Sequence, residues 1–265
     1  MIIDIHTHFY PDAVAPKAMK NMSEASGYTL FGDGTYKSLV QYMEEDGVSL
    51  AINLPVATSP SQVVSINRKM VEWNKAQTRV HCFGCYHPDF PLVGDLEEEL
   101  AFLAEHGIRG IKIHPEYQRF YPDDPKLTRF YELCARYNFI LLIHAGSDVA
   151  FTETHATPAR LKEVMKVKGL KVILAHMGGY RQWDDVVKYL VGLPSLYLDT
   201  SFCLDLPNAL FKEMIFAHEP YRILFGSDFP WVRPRQMIDK IRQLDLGKAN
   251  EEMIFSGNAR WLLDI

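Results

Sequence analysis

Residues 139–144 read Phe-Ile-Leu-Leu-Ile-His, and residues 171–176 read Lys-Val-Ile-Leu-Ala-His. Each is a short apolar run that ends in a histidine and is soon followed by glycine. Strands that are apolar on both faces are typical of parallel sheets covered by helices on both sides. A sheet with one solvent-exposed face has strands that alternate between apolar and polar residues instead. A helical pattern over 157–168 separates the two runs. These stretches therefore predict two parallel strands joined by a helix.

The same alternation of strand and helix extends along the whole chain. Strands are predicted at 1–8, 48–54, 80–86, 108–114, 139–144, 171–176, 195–199 and 222–227, and helices at 12–22, 35–45, 60–77, 95–106, 125–137, 157–168, 183–191, 206–218, from near 233 and over 250–263. Between the second and the eighth strand each unit takes about 29 residues, close to the ~30 that a strand–helix–strand unit needs.

Eight such units predict an α/β protein with a single domain over residues 1–265, folded as a (β/α)₈ TIM barrel. Two additions are expected. One is an insert loop at about 9–34 that carries a short helix, and the other is a C-terminal helical tail at about 250–265. An open, doubly wound sheet is the alternative, but no glycine-rich fingerprint follows the first strand.

The composition limits the partners of the protein. Its 265 residues include 28 Lys and Arg against 33 Asp and Glu, a net charge of −5, so no general basic surface for nucleic acid is expected. No run approaches the ~18 apolar residues of a membrane span, and Asp4 interrupts the N-terminal apolar run too early for a signal peptide. We therefore expect a cytoplasmic protein with a small-molecule substrate, and a homodimer is compatible with the sequence. The four cysteines are expected to be buried free thiols, although Cys82 and Cys85 form a C-x-x-C pair.

Polar residues collect at the predicted carboxyl ends of the strands. They are His6 and His8 on the first strand, Lys112 and His114 on the fourth, His144 on the fifth, His176 on the sixth and Asp228 on the eighth. Active sites of these barrels lie at this end of the strands, and closure of the barrel places the eighth strand beside the first. Three imidazoles and one carboxylate there suit one catalytic divalent metal. The candidate ligands are His6, His8, His144 and Asp228.

Some of these residues also have ordinary structural explanations. Asp228 fits a helix N-cap equally well, since Asp is a common cap. His176 fits a hydrogen bond at the tight turn that its following glycines predict. Asp4 shares the parity of His6 and His8, so we expect it to support them from lower in the barrel.

Five motifs, in this order, resemble those of the amidohydrolase superfamily. They are Asp4-Ile5-His6-Thr7-His8, Ile143-His144-Ala145-Gly146, Ala175-His176-Met177-Gly178-Gly179, Phe225-Gly226-Ser227-Asp228-Phe229-Pro230 and Ser256-Gly257-Asn258-Ala259-Arg260. No single motif is decisive, but their ordered combination spans the chain and is specific. The most similar branch is amidohydrolase family 2, which includes aminocarboxymuconate-semialdehyde decarboxylase.

The resemblance implies a role for each of these polar residues. One divalent metal ion, with Zn²⁺ the first expectation and Mn²⁺, Fe²⁺ or Ni²⁺ the alternatives, would be bound by His6, His8, His144 and Asp228. Asp228 would also take a proton from a metal-bound water, and His176 would act as the acid or base beside it, or as a ligand in a two-metal variant. Relatives with two metals use a carboxylated lysine on the fourth strand, where Lys112 stands, but a substrate-binding cation is the preferred role for Lys112.

The rim of the predicted barrel suggests a class of substrate. The predicted substrate contacts are Lys112, His114, Arg119 and Trp231. They stand among aromatic loop residues, and aromatic walls with scattered cations suit a small cyclic or aromatic acid, because arginine binds carboxylates bidentately.

The predicted chemistry is that of a metal-dependent enzyme. The first expectation is a hydrolase in which a metal-activated water attacks a small organic acid derivative, an amide or a lactone. The alternative is a decarboxylase, in which the metal binds a β-keto or aryl acid and His176 handles protons. A TatD-like nuclease is disfavoured, because it needs a metal-bridging Glu at the end of the fourth strand, where this chain has Lys112 and His114. The complete ligand set argues against a non-catalytic metal-binding barrel.

Overall fold

Each of the eight predicted strand positions carries a strand in the computed structural model, which describes residues 1–76 and 78–265. In that part of the chain the strands are β1 (Ile3–Thr7), β2 (Leu50–Asn53), β3 in two segments (Val80–Cys82 and Gly84–Cys85), β4 (Gly110–Ile113), β5 (Ile140–Ile143), β6 (Lys171–Leu174), β7 (Leu196–Asp199) and β8 (Ile223–Leu224). The strands are shorter than predicted, since residues such as His144 already belong to the loops that follow them.

The strands follow one another in chain order around a ring. Successive strands from β1 to β8 pair in parallel, and the two segments of β3 join the two halves of the sheet. The ring closes where the Ile5 amide donates to the Phe225 carbonyl (2.9 Å) and the Asp228 amide donates to the His6 carbonyl (2.8 Å). The structure is therefore the predicted (β/α)₈ TIM barrel, with the first and last strands side by side.

Helices surround the ring of strands. In the described residues they are α1 (Ala15–Ser26), α2 (Tyr36–Asp46), α3 (Val63–Ala76), α4 (Leu96–Glu105), α5 (Pro115–Gln118), α6 (Thr128–Arg136), α7 (Pro158–Val164), α8 (Trp183–Tyr189), α9 (Asn208–His218), α10 (Pro234–Arg242), α11 (Lys248–Glu252) and α12 (Asn258–Leu263). A π-helical segment, Met253–Gly257, links α11 to α12, so the predicted helical tail is present. None of these described helices has both the length and the apolar character needed to cross a membrane.

Alternate residues of the strands face different parts of the core. Leu141 and Ile143 of β5 pack in a large cluster shared with the helices, whereas Ile140 and Leu142 belong to a smaller cluster inside the barrel. Because side chains alternate along a strand, His144 continues the inward set, which is how the barrel directs polar groups to one place. All four cysteines are buried and free, as predicted.

The predicted insertion after β1 contains a helix. This helix, α1, begins later and ends later than the predicted 12–22, and it stops at Gly27, whose left-handed backbone (φ 73°) is a common helix terminus. The Phe31 amide donates to the Pro230 carbonyl (2.8 Å). This hydrogen bond holds the insertion against the loop after β8, at the carboxyl end of the barrel.

Candidate active site

The two histidines of the first strand each direct their Nε2 atom into the site. The Nδ1–H group of His6 donates to Asp199 Oδ2 (2.8 Å), and that of His8 donates to the Leu54 carbonyl (2.9 Å). Carbonyl and ionised carboxylate oxygens only accept, so both protons lie on Nδ1 and both Nε2 atoms keep their lone pairs. Imidazoles that bind metals are held in this way, with the second nitrogen donating to a carboxylate or a carbonyl.

Asp228 faces these two Nε2 atoms. Its Oδ1 atom lies 3.2 Å from His8 Nε2 and 3.5 Å from His6 Nε2. The backbone of Asp228 is left-handed (φ 70°), a conformation that Asp adopts more readily than most non-glycine residues. Burial raises the pKa of Asp228, but the nearby imidazoles outweigh this effect and hold the pKa below its usual range. Asp228 is not the N-cap of the helix that follows, because α10 begins at Pro234 and Arg233 occupies its N-cap position.

A chain of hydrogen bonds orients His144. The Nδ1–H group of His176 donates to the Ser201 carbonyl (3.0 Å), so its Nε2 accepts from His144 Nδ1 (3.1 Å). The Nε2 atom of His144 keeps a lone pair, and it is buried with no hydrogen-bond partner among the described residues. His176 does sit in a tight turn, with φ at 59°, yet its ring also lines the site.

The candidate ligands fall into two neighbouring groups, in each of which the ligand atoms lie within 4.8 Å of one another. Their members are His6, His8 and Asp228 in the first group and His114, His144 and Asp148 in the second. Three of the four predicted ligands therefore come together. The fourth, His144, instead stacks on His114, with 4.0 Å between ring centroids.

Asp199 and Ser201 connect two of the imidazoles, and neither was predicted as part of the site. Asp199 accepts hydrogen bonds from His6 Nδ1 and from the His176 amide (3.0 Å). The Ser201 hydroxyl donates to Asp199, and its oxygen lies 3.0 Å from His6 Nδ1 and 2.9 Å from His176 Nδ1. Both residues are fully buried, so they fix the orientation of the two rings. Asp199 could have been predicted from its position at the end of β7, because the other polar site residues also lie at strand ends. Nothing in the sequence marks Ser201.

Asp4 supports the first strand without joining the ligands, in keeping with the role predicted for it. Its Oδ1 atom accepts from the amides of His6 (3.1 Å) and Ser227 (2.9 Å). These two bonds connect β1 to the loop after β8. Burial raises the pKa of Asp4 to about 7, despite the hydrogen bonds that lower it.

Lys112 is a buried cation on the floor of the site. Its Nζ atom lies 3.4 Å from His6 Nε2, and the residue is fully buried. Burial lowers the pKa of Lys112 to about 8, while nearby carboxylates act in the opposite direction. The side chain is therefore mainly protonated at neutral pH and is placed to attract an anionic group.

The other three predicted substrate contacts have different positions. His114 and Trp231 line the cavity; His114 Nε2 lies 3.4 Å from Asp148 Oδ2, and the Trp231 ring meets the His8 ring edge-on at 5.7 Å. Arg119 is exposed and is not among the described residues that line the cavity. It ends α5 with a left-handed backbone (φ 53°), and this turn leaves it outside the site. Asp148 was missed because it follows β5 in a loop and no strand-end position marked it.

These groups form the floor of a cavity of about 840 Å³. Its walls are mostly apolar, with aromatic surface from Phe9, Tyr117, Tyr180, Phe202 and Trp231. Helices α1 and α3 complete the wall on one side. Concave, mostly apolar sites with a few convergent polar groups are typical of small-molecule binding.

The donor set fits a divalent metal ion. Burial lowers the pKa of His6 and of His144 well below the usual value, so both imidazoles are neutral at neutral pH. Each of them, and His8, has a lone pair on Nε2, and Asp228 adds an ionised carboxylate. Neutral imidazole and carboxylate are ligands that Zn²⁺ and related ions take in catalytic sites.

The sequence relationships agree with this geometry. A protein-family model described as Amidohydrolase (Amidohydro_2) matches residues 3–265. The chain belongs to the amidohydrolase family. This confirms the resemblance of the five motifs, and it makes the protein an enzyme of a metal-dependent family. No curated protein sequence matches the chain.

Solved structures share the barrel of this amidohydrolase. An uncharacterised TIM-barrel protein from Bordetella bronchiseptica has a TM-score of 0.78 at 16% identity, over 99% of this chain and 98% of its own. A dihydroxybenzoic acid decarboxylase from Polaromonas sp. JS666, with bound manganese and the inhibitor 2-nitroresorcinol, has a TM-score of 0.75 at 18% identity, over 99% and 96%. An amidohydrolase from Burkholderia multivorans with bound zinc has a TM-score of 0.72 at 15% identity, over 100% and 99%. At these identities the similarity establishes the shared fold.

Proposed function

We propose that this amidohydrolase is a divalent-metal-dependent decarboxylase of a small aromatic or cyclic acid. The observation that carries the proposal is a single cavity floor that combines the His6–His8–Asp228 group with the buried cation Lys112, beneath aromatic walls. The similarity in fold to a dihydroxybenzoic acid decarboxylase with bound manganese and an aromatic inhibitor adds support. Decarboxylation therefore replaces hydrolysis, the first expectation from the sequence, as the leading function.

His6, His8 and Asp228 would hold the metal, and His144, which belongs to the neighbouring group, would be the fourth ligand. Zn²⁺ and Mn²⁺ are the candidate ions, since each is bound in a protein of similar fold. When bound, the metal would supply a Lewis acid that polarises oxygen atoms of the substrate.

The remaining residues of the cavity bind and orient the acid. Lys112 attracts its carboxylate or phenolate oxygen, because a protonated amine in a dry site interacts strongly with an anion. Trp231 and Phe202 offer flat apolar surface to a ring. The enclosing walls exclude water from the reacting carbon.

Loss of CO₂ requires one proton at the carbon that held the carboxylate. The bond between the two carbons breaks, the electron pair stays on the substrate carbon, and that carbon takes up the proton. Asp228 and His176 both line the cavity. Asp228 is ionised and His176 Nε2 accepts a hydrogen bond, so the proton comes from water. We assign its uptake and its delivery to that carbon to the Asp228 carboxylate and to His176.

Hydrolysis of a lactone or an amide is the second candidate. The observation that favours it is the position of Asp228, whose ionised carboxylate beside His8 could take a proton from water. A nuclease of the TatD type has less support, because it needs a metal-bridging Glu after the fourth strand. The carboxylate of Glu116 instead accepts hydrogen bonds from the His155 and Ala156 amides (3.0 and 3.1 Å). Glu116 is also not among the described residues that line the cavity.

The proposed function is tested with a panel of acids, lactones and amides. The protein is stripped of metal with a chelator and reloaded with Zn²⁺ or Mn²⁺, and CO₂ release and hydrolysis are both recorded. We expect metal-dependent CO₂ release from at least one hydroxylated benzoic acid or β-keto acid, lost in Asp228→Ala. Hydrolysis of lactones or amides without any CO₂ release would overturn the proposal in favour of the second candidate.

A further inference from the structure

The cavity is several times larger than one aromatic ring needs. Its volume is about 840 Å³, whereas an apolar cavity of ~150 Å³ is enough to hold benzene. The metal-ligating floor comes from the ends of the strands. Much of the remaining wall comes from two helices, through Ala18 and Met22 of α1 and Ile66 and Met70 of α3.

The surface between α1 and α3 is apolar and adaptable. Met22 and Met70 are buried, with 9% and 4% of their surface exposed. Methionine is flexible and polarisable and packs against apolar groups of varied shape. Ala18 leaves open space on the cavity side of α1, because its side chain is a single methyl group.

Three of the polar side chains near this surface already have hydrogen-bond or ion-pair partners. Gln62 accepts from the Thr58 amide (2.9 Å), and the Ser65 hydroxyl donates to the Gln62 carbonyl (3.0 Å). Lys69, a cation of this side of the cavity, pairs with Glu72 (2.9 Å).

Two further polar residues, Lys17 and Asn21 of α1, line the cavity at exposed positions. An ion pair at an exposed position contributes little, because water screens it. A second anionic group on a ligand therefore gains little here, whereas apolar surface gains from leaving water.

We infer that the substrate is an amphipathic acid, and that an apolar extension several carbons long binds between α1 and α3. The acid group lies on the floor beside Lys112, and the extension lies along Ala18, Met22 and Ile66. This inference rests on the proposed function only in placing the acid group at the metal-ligating floor. It goes beyond that function because it specifies the size and polarity of the rest of the molecule.

The length dependence of binding tests the inference without turnover. Benzoate, 4-butylbenzoate, 4-hexylbenzoate and 4-(4-carboxybutyl)benzoate are titrated into the metal-loaded protein by calorimetry. We expect affinity to rise about threefold to fourfold for each buried methylene, and the terminal carboxylate to weaken binding relative to the butyl compound. Equal affinity along the alkyl series, or tighter binding of the dicarboxylate, would overturn the inference.

A second experiment fills the space between the two helices with a larger side chain. In Ala18→Trp the affinity for 4-hexylbenzoate should fall at least about tenfold, the loss of roughly two buried methylenes, while the affinity for benzoate changes little. Ile66→Trp approaches the same space from α3 and should give the same pattern. Lys20→Trp, on the exposed side of α1, is the matched control and should leave both affinities unchanged. Equal losses for both acids in the Ala18 and Ile66 variants would contradict an apolar subsite.

The two proposals fail in distinguishable ways. Length-dependent binding without CO₂ release from any acid of the panel would keep the subsite and overturn decarboxylation. CO₂ release from one-ring acids, with no dependence of affinity on chain length, would keep decarboxylation and overturn the subsite.

Discussion

Two kinds of buried histidine can be compared in this protein, those on the cavity floor and His218, the last residue of α9. His218 uses both ring nitrogens: Nδ1 accepts from the Gly192 amide (3.1 Å) and Nε2 donates to the Leu196 carbonyl (3.0 Å). On the floor, His8 and His144 each use Nδ1 as a donor and leave Nε2 directed at the site. A histidine that only stabilises the fold has its hydrogen bonds satisfied.

Burial alone does not show which histidines belong to the site. His218 and the floor residues His6, His144 and His176 are all nearly inaccessible to solvent. All four have lowered pKa values, His218 to about 4. Burial and pKa alone would therefore group them together. What distinguishes His8 and His144 is the Nε2 lone pair directed at the site, which is why replacing residues of the two kinds should have different consequences.

The largest expected effect comes from removing a ligand of the first group. Asp228→Ala and His8→Ala should abolish metal binding and lower turnover at least about 10⁴-fold, the scale seen when one member of a catalytic unit is removed. His218→Gln should keep both the metal and the turnover. Metal analysis and steady-state kinetics measure the two properties, and an active Asp228→Ala protein would show that the floor is not the catalytic centre.

Replacement of His176 should separate chemistry from metal binding. His176→Asn should lower kcat about 10²-fold to 10⁴-fold, the usual contribution of a general acid or base, while metal content stays near that of the wild type. His87→Asn is the control, because His87 is buried but is not among the described residues that line the cavity. Normal kcat in His176→Asn would remove the proton-handling role.

His218 should make stability depend on pH. Burial lowers its pKa from the ordinary value of 6.5 to about 4. Its contribution is therefore fully present above pH 6.5 and is lost as the pH falls toward 4. A difference of that size corresponds to about 3 kcal/mol in the free energy of unfolding. Denaturant unfolding of wild type and His218→Gln between pH 7 and 4 should show a shallower decline in the variant. Parallel curves would contradict this assignment.

Asp199 should have a smaller effect, through His6. In Asp199→Asn the acceptor of the His6 Nδ1 proton is replaced by an amide, which sets the ring orientation less firmly. We expect metal affinity to fall about 10-fold to 100-fold, as for other carboxylates that hold a ligating histidine. Competition with a chromogenic chelator measures this affinity without any turnover. Unchanged affinity would mean that Asp199 acts only in folding.

Much of the barrel could be predicted because its signals are local and repeated. Apolar runs such as 139–144 mark parallel strands buried on both sides, and their regular spacing marks the connecting helices. The alternation of side chains along β5 explains why His144 faces inward. The bounds of α1 were less predictable, since the insertion is held by a distant contact between Phe31 and Pro230.

The site could be predicted only where a strand end identified it. His6, His8 and Asp228 come together because barrel closure joins the first and last strands, which topology alone implies. Asp148 and Arg119 lie in loops, where sequence position does not determine which way a side chain faces. Ring contacts such as the stack of His144 on His114 depend on side-chain rotation, which no pattern of residues reveals.

The most direct test of the metal centre is the stoichiometry of metal binding. Equilibrium dialysis of the stripped protein against Zn²⁺ or Mn²⁺ should give one tightly bound ion per chain in the wild type and in His218→Gln, and none in His8→Ala. A wild-type protein that binds no ion, or a His8→Ala protein that binds it as tightly as the wild type, would contradict the assignment of the free Nε2 atoms to a metal.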